Sequence, residues 1–224
     1  MEKLVFTSKK PIVFIGRKKV FNFLNMESLW QFKNNKAYAG WVLKKDNVNF
    51  PDGRMIGKKL GIEQVRGPFF TKCFLKQGKA IGKKHFFIGG VVVKQIIEHS
   101  GLKKNEIRVY NPPYVKGSEF GENEIIKIVG MLKDFEANFV WVGVGSPKQE
   151  ILGNQLHRRY KADYFNVGAG LDFLVGNNKE APGIWGDMGL EWFYQLLVHP
   201  RRAWKKVRRH FIALRWIGDL RVGK

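Results

Sequence analysis

The sequence predicts an α/β fold, a Rossmann-like parallel sheet covered by helices, with a basic helical C-terminal appendage. Short apolar runs alternate along the chain with stretches of helical periodicity, which is typical of parallel strands joined by crossover helices. Glycine-rich turns follow two of these runs, and residues 200–224 change to an aromatic-rich basic segment. We therefore expect an α/β domain over 1–195 and a basic amphipathic appendage over 196–224.

The sequence patterns in the first part of the chain predict only a few helices and strands. The patterns there predict a helix over 27–34, a short strand over 48–50 and a helix over 69–77.

The second part is more regular. The run at 84–88 is bounded by a Gly-Gly turn, and residues 122–135 place apolar side chains at helical spacing. Strands are predicted over 84–88, 106–110, 138–142 and 163–167, and helices over 91–100, 122–135 and 147–160.

The composition predicts an anionic partner. The formal net charge is +21, from 40 Lys and Arg against 19 Asp and Glu. Such an excess suits nucleic acid, a phosphorylated substrate or an acidic membrane. The single cysteine, Cys73, excludes an intramolecular disulfide and a cysteine metal cluster. Basic residues interrupt 1–20, and the apolar run 86–93 is too short to span a bilayer, so a soluble or peripheral protein is expected.

The basic tail has two equally weighted interpretations. Trp204, Val207, Phe211 and Leu214 can share one apolar side surrounded by Arg and Lys. Such a helix suits a membrane interface, and it equally suits a terminal helix docked on the core with a solvated basic face. Nucleic-acid binding by this segment is a third and weaker interpretation.

The first candidate site is the turn GVGSPKQE at 143–150, which follows a predicted strand. Gly143 and Gly145 allow a tight turn, and the proline is expected to open the helix. Backbone N–H groups at that helix start would face a phosphate or a sugar hydroxyl. Lys148 adds positive charge, and Gln149 can both donate and accept. An ordinary capped βα turn would give the same pattern.

The second candidate site is NVGAGLDF at 166–173, another glycine-rich strand end. Gly168 and Gly170 would let the backbone approach a ligand closely. Asp172 either binds ribose or sugar hydroxyls or ties down the loop.

The third candidate site is the Pro-Asp-Gly turn around Asp52. This tripeptide is a strong turn signal in itself. If the turn is functional, Asp52 is a carboxylate at a strand end, available as a general base. The chain contains no Asp-x-Asp triplet and no HExxH spacing, so neither a metal nor another cofactor is predicted.

Together these segments resemble the WecG/TagA/CpsF glycosyltransferases, glycosyltransferase family 26. The resemblance rests on GVGSPKQE, on NVGAGLDFLVG at 166–176, on Ala-Pro at 181–182 and on GLEWFYQLLVHPRR at 189–202. PDG at 51–53 and FFIGG at 86–90 match upstream segments, so it covers roughly residues 50–205.

The resemblance implies a metal-independent, inverting transfer of a sugar from a UDP-sugar to an undecaprenyl-diphosphate-linked sugar. This step belongs to bacterial surface polysaccharide or teichoic-acid synthesis, at the cytoplasmic face of the plasma membrane. It implies that Asp52 is the base and that Gln149 contacts the nucleotide or sugar. Arg202 and Lys205 fall on family arginines, and Asn25 falls on a family asparagine. The appendage is implied to assist membrane association and to complete the active site.

Two other functions remain open. A nucleic-acid-binding protein would explain the charge, although nucleic acid is an unlikely partner because no helix-turn-helix or RNP pattern is present. An inactive relative acting as a scaffold is conceivable because the resemblance implies an arginine where this chain has Gln195.

Overall fold

The protein is described here by a computed structural model over residues 3–76, 82–177 and 200–223. Between 200 and 206, Trp204 is the only side chain described. The described residues form a six-stranded and a two-stranded sheet, both parallel. The strands are β1 (Val5–Phe6), β2 (Val20–Leu24), β3 (Asn47–Pro51), β4 (His85–Ile88), β5 (Ile107–Tyr110), β6 (Phe139–Val142), β7 (Asp163–Asn166) and β8 (Arg221–Val222).

Helices connect the strands and are numbered here in chain order. They are α1 (Met26–Asn34), α2 (Lys36–Val42), α3 (Arg54–Leu60), α4 (Gly67–Lys76), α5 (Val93–His99), α6 (Glu122–Phe135), α7 (Lys148–Arg159), α8 (Gly170–Leu174) and α9 (Pro200–Ala213). Short 3-10 turns lie at Pro11–Phe14, Lys104–Glu106 and Leu214–Asp219.

The larger sheet has the order β3-β2-β7-β6-β4-β5, and helices cover it. This arrangement confirms the predicted α/β class with a Rossmann-like parallel sheet. Side chains alternate between two apolar cores, since neighbouring residues of a strand point to opposite faces. Phe21, Trp141 and Phe165 lie in one core, and Val20 and Tyr164 in the other. Trp141 and Phe165 stack with ring centroids 4.4 Å apart.

The second-half predictions are confirmed to within two residues at each end, and α6 has the predicted ends. In the first half, β2, α2 and α3 were not predicted, although β2 lies between β3 and β7 inside the sheet. Strand β2 was not predicted because Asn22 interrupts its apolar run. Its side chain is fully buried and is satisfied by partners from other strands.

The C-terminal segment is docked on the domain and shares a third core with α1 and α2. Ala213 and Leu220 are buried in this core, Val207 of α9 is also buried, and β8 pairs with β1. Trp204 and Phe211 are 63% and 52% exposed. The docked-helix interpretation is therefore correct for the side of α9 that carries Val207, and Trp204 and Phe211, three residues before and four residues after it, remain exposed beside it.

Two further sequence expectations concern the domain boundary and membrane-spanning helices. The predicted boundary between 195 and 196 lies outside the described residues. In the part of the chain that is described, no helix is long and apolar enough to cross a membrane.

Candidate functional site at the carboxyl edge of the sheet

The predicted site residues follow four adjacent strands. Asp52 follows β3, Asn25 follows β2, Gly168 lies just beyond β7, and Gly143 follows β6. Because the strands are parallel, all these positions lie at the carboxyl edge of the sheet, where α/β proteins bind ligands. The structure thus brings the three predicted turns to one edge.

Asp52 is held at the end of β3 by its backbone. Its N–H donates to the carbonyl of Leu24, at the end of β2, over 2.9 Å. Asn25, the next residue of that strand end, caps α1, since its Oδ1 accepts from the Ser28 N–H at 3.2 Å. Asn25 is exposed, and Asp52 is half-buried. The ends of β2 and β3 therefore present an amide and a carboxylate side by side.

The turn after β6 differs from its prediction in two ways. The helix α7 begins at Lys148, and Pro147 is its N-cap residue instead of its first residue. The Gln149 N–H donates to the Gly145 carbonyl at 3.0 Å, so this amide is not directed at a ligand. The Lys148 ammonium donates to the Val115 carbonyl and lies 4.7 Å from the Tyr114 ring centroid. Lys148 thus holds the loop between β5 and α6.

The glycines of these turns serve two different purposes. A Cβ on Gly143 would lie 2.6 Å from Leu171 Cδ1, and one on Gly168 would lie 2.9 Å from Gln149 Oε1. A Cβ on Gly170 would lie 3.2 Å from Val167 Cβ and 3.4 Å from Thr71 Oγ1. These three glycines let protein segments pack closely together at this edge of the sheet.

Gly145 is the exception among the turn glycines. Its φ is +83°, and a Cβ on it would meet nothing within 4 Å. It is therefore the glycine of this turn whose backbone borders open space.

Gln149 connects α7 to the end of β7. It is 5% exposed, and its Nε2 donates to Glu150 Oε1 at 2.9 Å and to the Asn166 carbonyl at 3.3 Å. Its Oε1 is buried without a hydrogen-bond partner in the described part of the chain. Direct contact with a nucleotide would need this side chain to move, since both donor contacts are internal.

Glu150 was not predicted as a site residue, yet it is a fully buried carboxyl beside the turn. Burial raises its pKa to about 7, although hydrogen bonds from Gln149 and Ser146 oppose the shift. Its position in the first turn of an amphipathic helix gave no signal of this burial, because acidic residues there are common at helix starts.

A buried asparagine network lies beneath the same edge. Asn22 Nδ2 donates to Asn47 Oδ1 at 2.7 Å and to Asn49 Oδ1 at 2.9 Å, and Asn166 Nδ2 donates to Asn22 Oδ1 at 2.6 Å. Asn154 of α7 joins through Asn47 at 2.8 Å. The network fixes β2, β3, β7 and α7 relative to each other. Asparagines inside apolar strands were the available sequence signal.

The structure describes the remaining predicted site residues only in part. Asp172 is half-buried in α8, and burial raises its pKa against an opposing hydrogen bond from Asn177. The side chains of Arg202 and Lys205, and the whole of Gln195, lie outside the described residues. No three His, Cys, Asp or Glu side chains of the described ranges are grouped so as to hold a metal ion.

The described residues also form a surface groove of about 190 Å³ that contains none of the predicted site residues. It is lined by Trp41, Glu122, Gln155, Arg158 and Arg159.

Comparison with protein families gives one match. The model of the glycosyl transferase WecG/TagA/CpsF family matches residues 8–218. The matched region contains every predicted site residue and the whole six-stranded sheet, and the two-stranded sheet of β1 and β8 lies outside it.

Proposed function

Since the chain belongs to the WecG/TagA/CpsF glycosyltransferase family, we propose that it transfers a sugar from a UDP-sugar to a lipid-diphosphate-linked sugar. Membership makes the protein a glycosyltransferase of cell-envelope polysaccharide synthesis. The donor, the undecaprenyl-diphosphate acceptor, inversion and metal independence are the proposed refinements.

One observation carries the proposal. Asp52 and the open turn at Gly145 lie at the carboxyl ends of β3 and β6, with β2 and β7 between them. At a spacing of about 4.8 Å between strands, the two ends are separated by about 14 Å. An extended nucleotide sugar can bridge this distance, with its nucleoside at the Gly145 turn, its sugar near Asp52 and its diphosphate between them.

In the proposed reaction, the acceptor hydroxyl attacks the anomeric carbon as the bond to UDP breaks. UDP leaves with the electron pair, and Asp52 takes the hydroxyl proton. Attack opposite the leaving group inverts the anomeric centre. General-base assistance of this kind contributes about 10²–10⁴-fold in rate.

The leaving diphosphate needs positive charge as the bond breaks. We propose that the basic residues of α9, Arg202 and Lys205 among them, supply this charge, with Lys148 holding the adjoining loop. The exposed Trp204 and Phe211 on the same helix support contact with an anionic membrane surface. The lipid-linked acceptor and the tail would then meet at the membrane.

Substitution of the base tests the mechanism. We expect Asp52→Asn to lower turnover by about 10²–10⁴-fold and to leave UDP affinity near the wild-type value. Asp134→Asn is the control, because Asp134 is an exposed carboxylate at the far end of α6. Wild-type turnover in Asp52→Asn would remove this carboxylate from the chemistry.

Ligand binding tests the donor class. Thermal midpoints are measured in EDTA with UDP, with GDP and with a single-stranded oligonucleotide, at two salt concentrations. A ligand at about 100 times its Kd stabilises by roughly 2.7 kcal/mol, so the shift is readable. A UDP-selective shift supports the proposal. A salt-sensitive oligonucleotide shift without any UDP shift would favour nucleic-acid binding instead.

A further inference from the structure

Unpartnered buried oxygens are concentrated behind the Gly145 turn. Tyr38 Oη, Gln149 Oε1, Glu150 Oε2 and Glu27 Oε2 are buried, and none has a hydrogen-bond partner in the described part of the chain. They come from α1, α2 and α7, and α2 packs against both of the other helices. Buried polar atoms are rarely left unsatisfied, so such a cluster requires a physical explanation.

The carboxylates of this cluster affect the pKa of the Tyr38 hydroxyl. The pKa of the Tyr38 hydroxyl is raised chiefly by burial and then by Glu150 and Glu27, whereas the nearby hydroxyls of Ser28 and Ser146 lower it. Ser146 also contacts Glu150 closely enough to oppose the rise of its pKa. The cluster is therefore continuous from the β6–α7 turn to the first turn of α1.

The cluster has too many acceptors for its donors. The oxygens of Glu27, Gln149 and Glu150 can only accept hydrogen bonds, whereas the Tyr38 and Ser146 hydroxyls can donate one each. The Ser28 hydroxyl donates to Asn25 Oδ1 at 3.4 Å. The charge of Glu27 is balanced at its other oxygen, where Arg209 of α9 donates at 2.7 Å. No Lys, Arg or His of the described residues contributes to the pKa of Glu150. Its neighbour Lys148 is directed towards Val115.

We propose that Glu150 works as a protonated carboxylic acid and is a positioning residue for the donor-binding turn. Protonation converts one surplus acceptor, Glu150 Oε2, into a donor for one of the two nearby hydroxyls, that of Tyr38 or that of Ser146. Its other oxygen accepts from Gln149 Nε2 at 2.9 Å, and Gln149 spans from α7 to the end of β7. Ionisation would place a charge without a counter-ion in this cluster and push the turn away from it.

The inference rests on the proposed UDP-sugar site, because the turn matters only if the donor binds there. The expected behaviour is a donor affinity that weakens with pH. Burial sets the pKa of Glu150 at about 7, so the acid is neutral below that pH and ionises above it. If the ionised form does not bind, the donor KM rises tenfold for each pH unit above about 7. We expect kcat to change much less, because Glu150 does not touch the reacting atoms.

The test compares wild type with Glu150→Gln, a neutral isostere that keeps a donor. Donor KM, kcat and UDP Kd are measured between about pH 5.5 and about pH 8.5. We expect the wild-type KM and Kd to rise at least tenfold over this range and those of Glu150→Gln to stay flat. Glu124→Gln is the control, since Glu124 also accepts from a tyrosine hydroxyl, that of Tyr110, at 2.6 Å. It should keep the wild-type profile.

A second measurement needs no ligand. The difference infrared spectrum between wild type and Glu150→Gln should show a protonated carboxylic C=O band below about pH 7 that disappears at higher pH. Flat wild-type Kd and KM, or a profile unchanged in Glu150→Gln, would overturn the inference while leaving the transferase function intact. Absence of the infrared band would overturn it as well. Failure of UDP to bind at any pH, with the band present, would instead count against the proposed donor.

Discussion

Two helical glycines provide a matched test of the packing at the sheet edge. Gly153 in α7 and Gly130 in α6 both lie within helices, where alanine is favoured by about 0.5–1 kcal/mol. A Cβ on Gly130 meets nothing within 4 Å, whereas one on Gly153 would lie 2.4 Å from Asn166 Oδ1. The same substitution should therefore have opposite effects at the two positions.

The size of the destabilisation by Gly153→Ala depends on how far Asn166 can move. This residue is fully buried, and its Nδ2 donates to Asn22 at 2.6 Å, so it cannot move by about 1 Å without disturbing the network. Overpacking costs about 1–3 kcal/mol, and a weakened buried hydrogen bond adds about 1 kcal/mol. After subtracting the helix gain, Gly153→Ala should lose roughly 1–3.5 kcal/mol of unfolding free energy. Gly130→Ala should gain about 0.5–1 kcal/mol.

The assay is urea unfolding of wild type and both variants in one buffer, with midpoints compared at equal slopes. Equal or greater stability of Gly153→Ala relative to wild type would show that Asn166 relaxes freely. The account of the asparagine network as a rigid support of the site would then be wrong. Destabilisation of Gly130→Ala would refute the assumption that the two helices differ only in the space around their glycines.

Three further predictions concern pH, the network and the tail. The pKa of Glu150 is raised from 4.5 to about 7 in the folded state, so its contribution is fully present below pH 4.5 and is lost as pH rises to about 7. The free energy of unfolding of the wild type should fall by about 3 kcal/mol over this range, and that of Glu150→Gln should not. Asn22→Ala should cost roughly 2–4 kcal/mol in a denaturant titration, because it leaves buried amides without partners. Val207→Asp should destabilise docking of α9 and reduce the thermal midpoint, whereas Trp204→Asp, at an exposed position, should leave the midpoint within about 2 °C and weaken binding to anionic vesicles.

Local patterns were sufficient for the second half of the fold. The ends of α6 follow from the spacing of Ile125, Val129 and Leu132, and the glycine-rich turns follow from composition alone. Parallel strands then place Asp52, Gly145 and Gly168 at one edge, because carboxyl ends of parallel strands meet there. The family resemblance, carried by several independent motifs, is confirmed over 8–218.

Other features depended on partners distant in the chain. Asn22 makes β2 look interrupted, and only the side chains of Asn47, Asn49 and Asn166 make it a stable central strand. Gly143 and Gly145 are equivalent in the sequence, yet the first packs against Leu171 and the second faces open space.

By itself, then, the sequence determined the α/β class, most element positions and the edge at which the candidate site residues lie. The tertiary structure alone decided which glycines are open, that Lys148 supports a loop, and that Glu150 is buried among unpartnered oxygens. The physical reason is that periodicity and turn chemistry act between near neighbours in the chain. Burial, hydrogen-bond satisfaction and pKa are set by whatever packs around a side chain, and those neighbours come from distant segments.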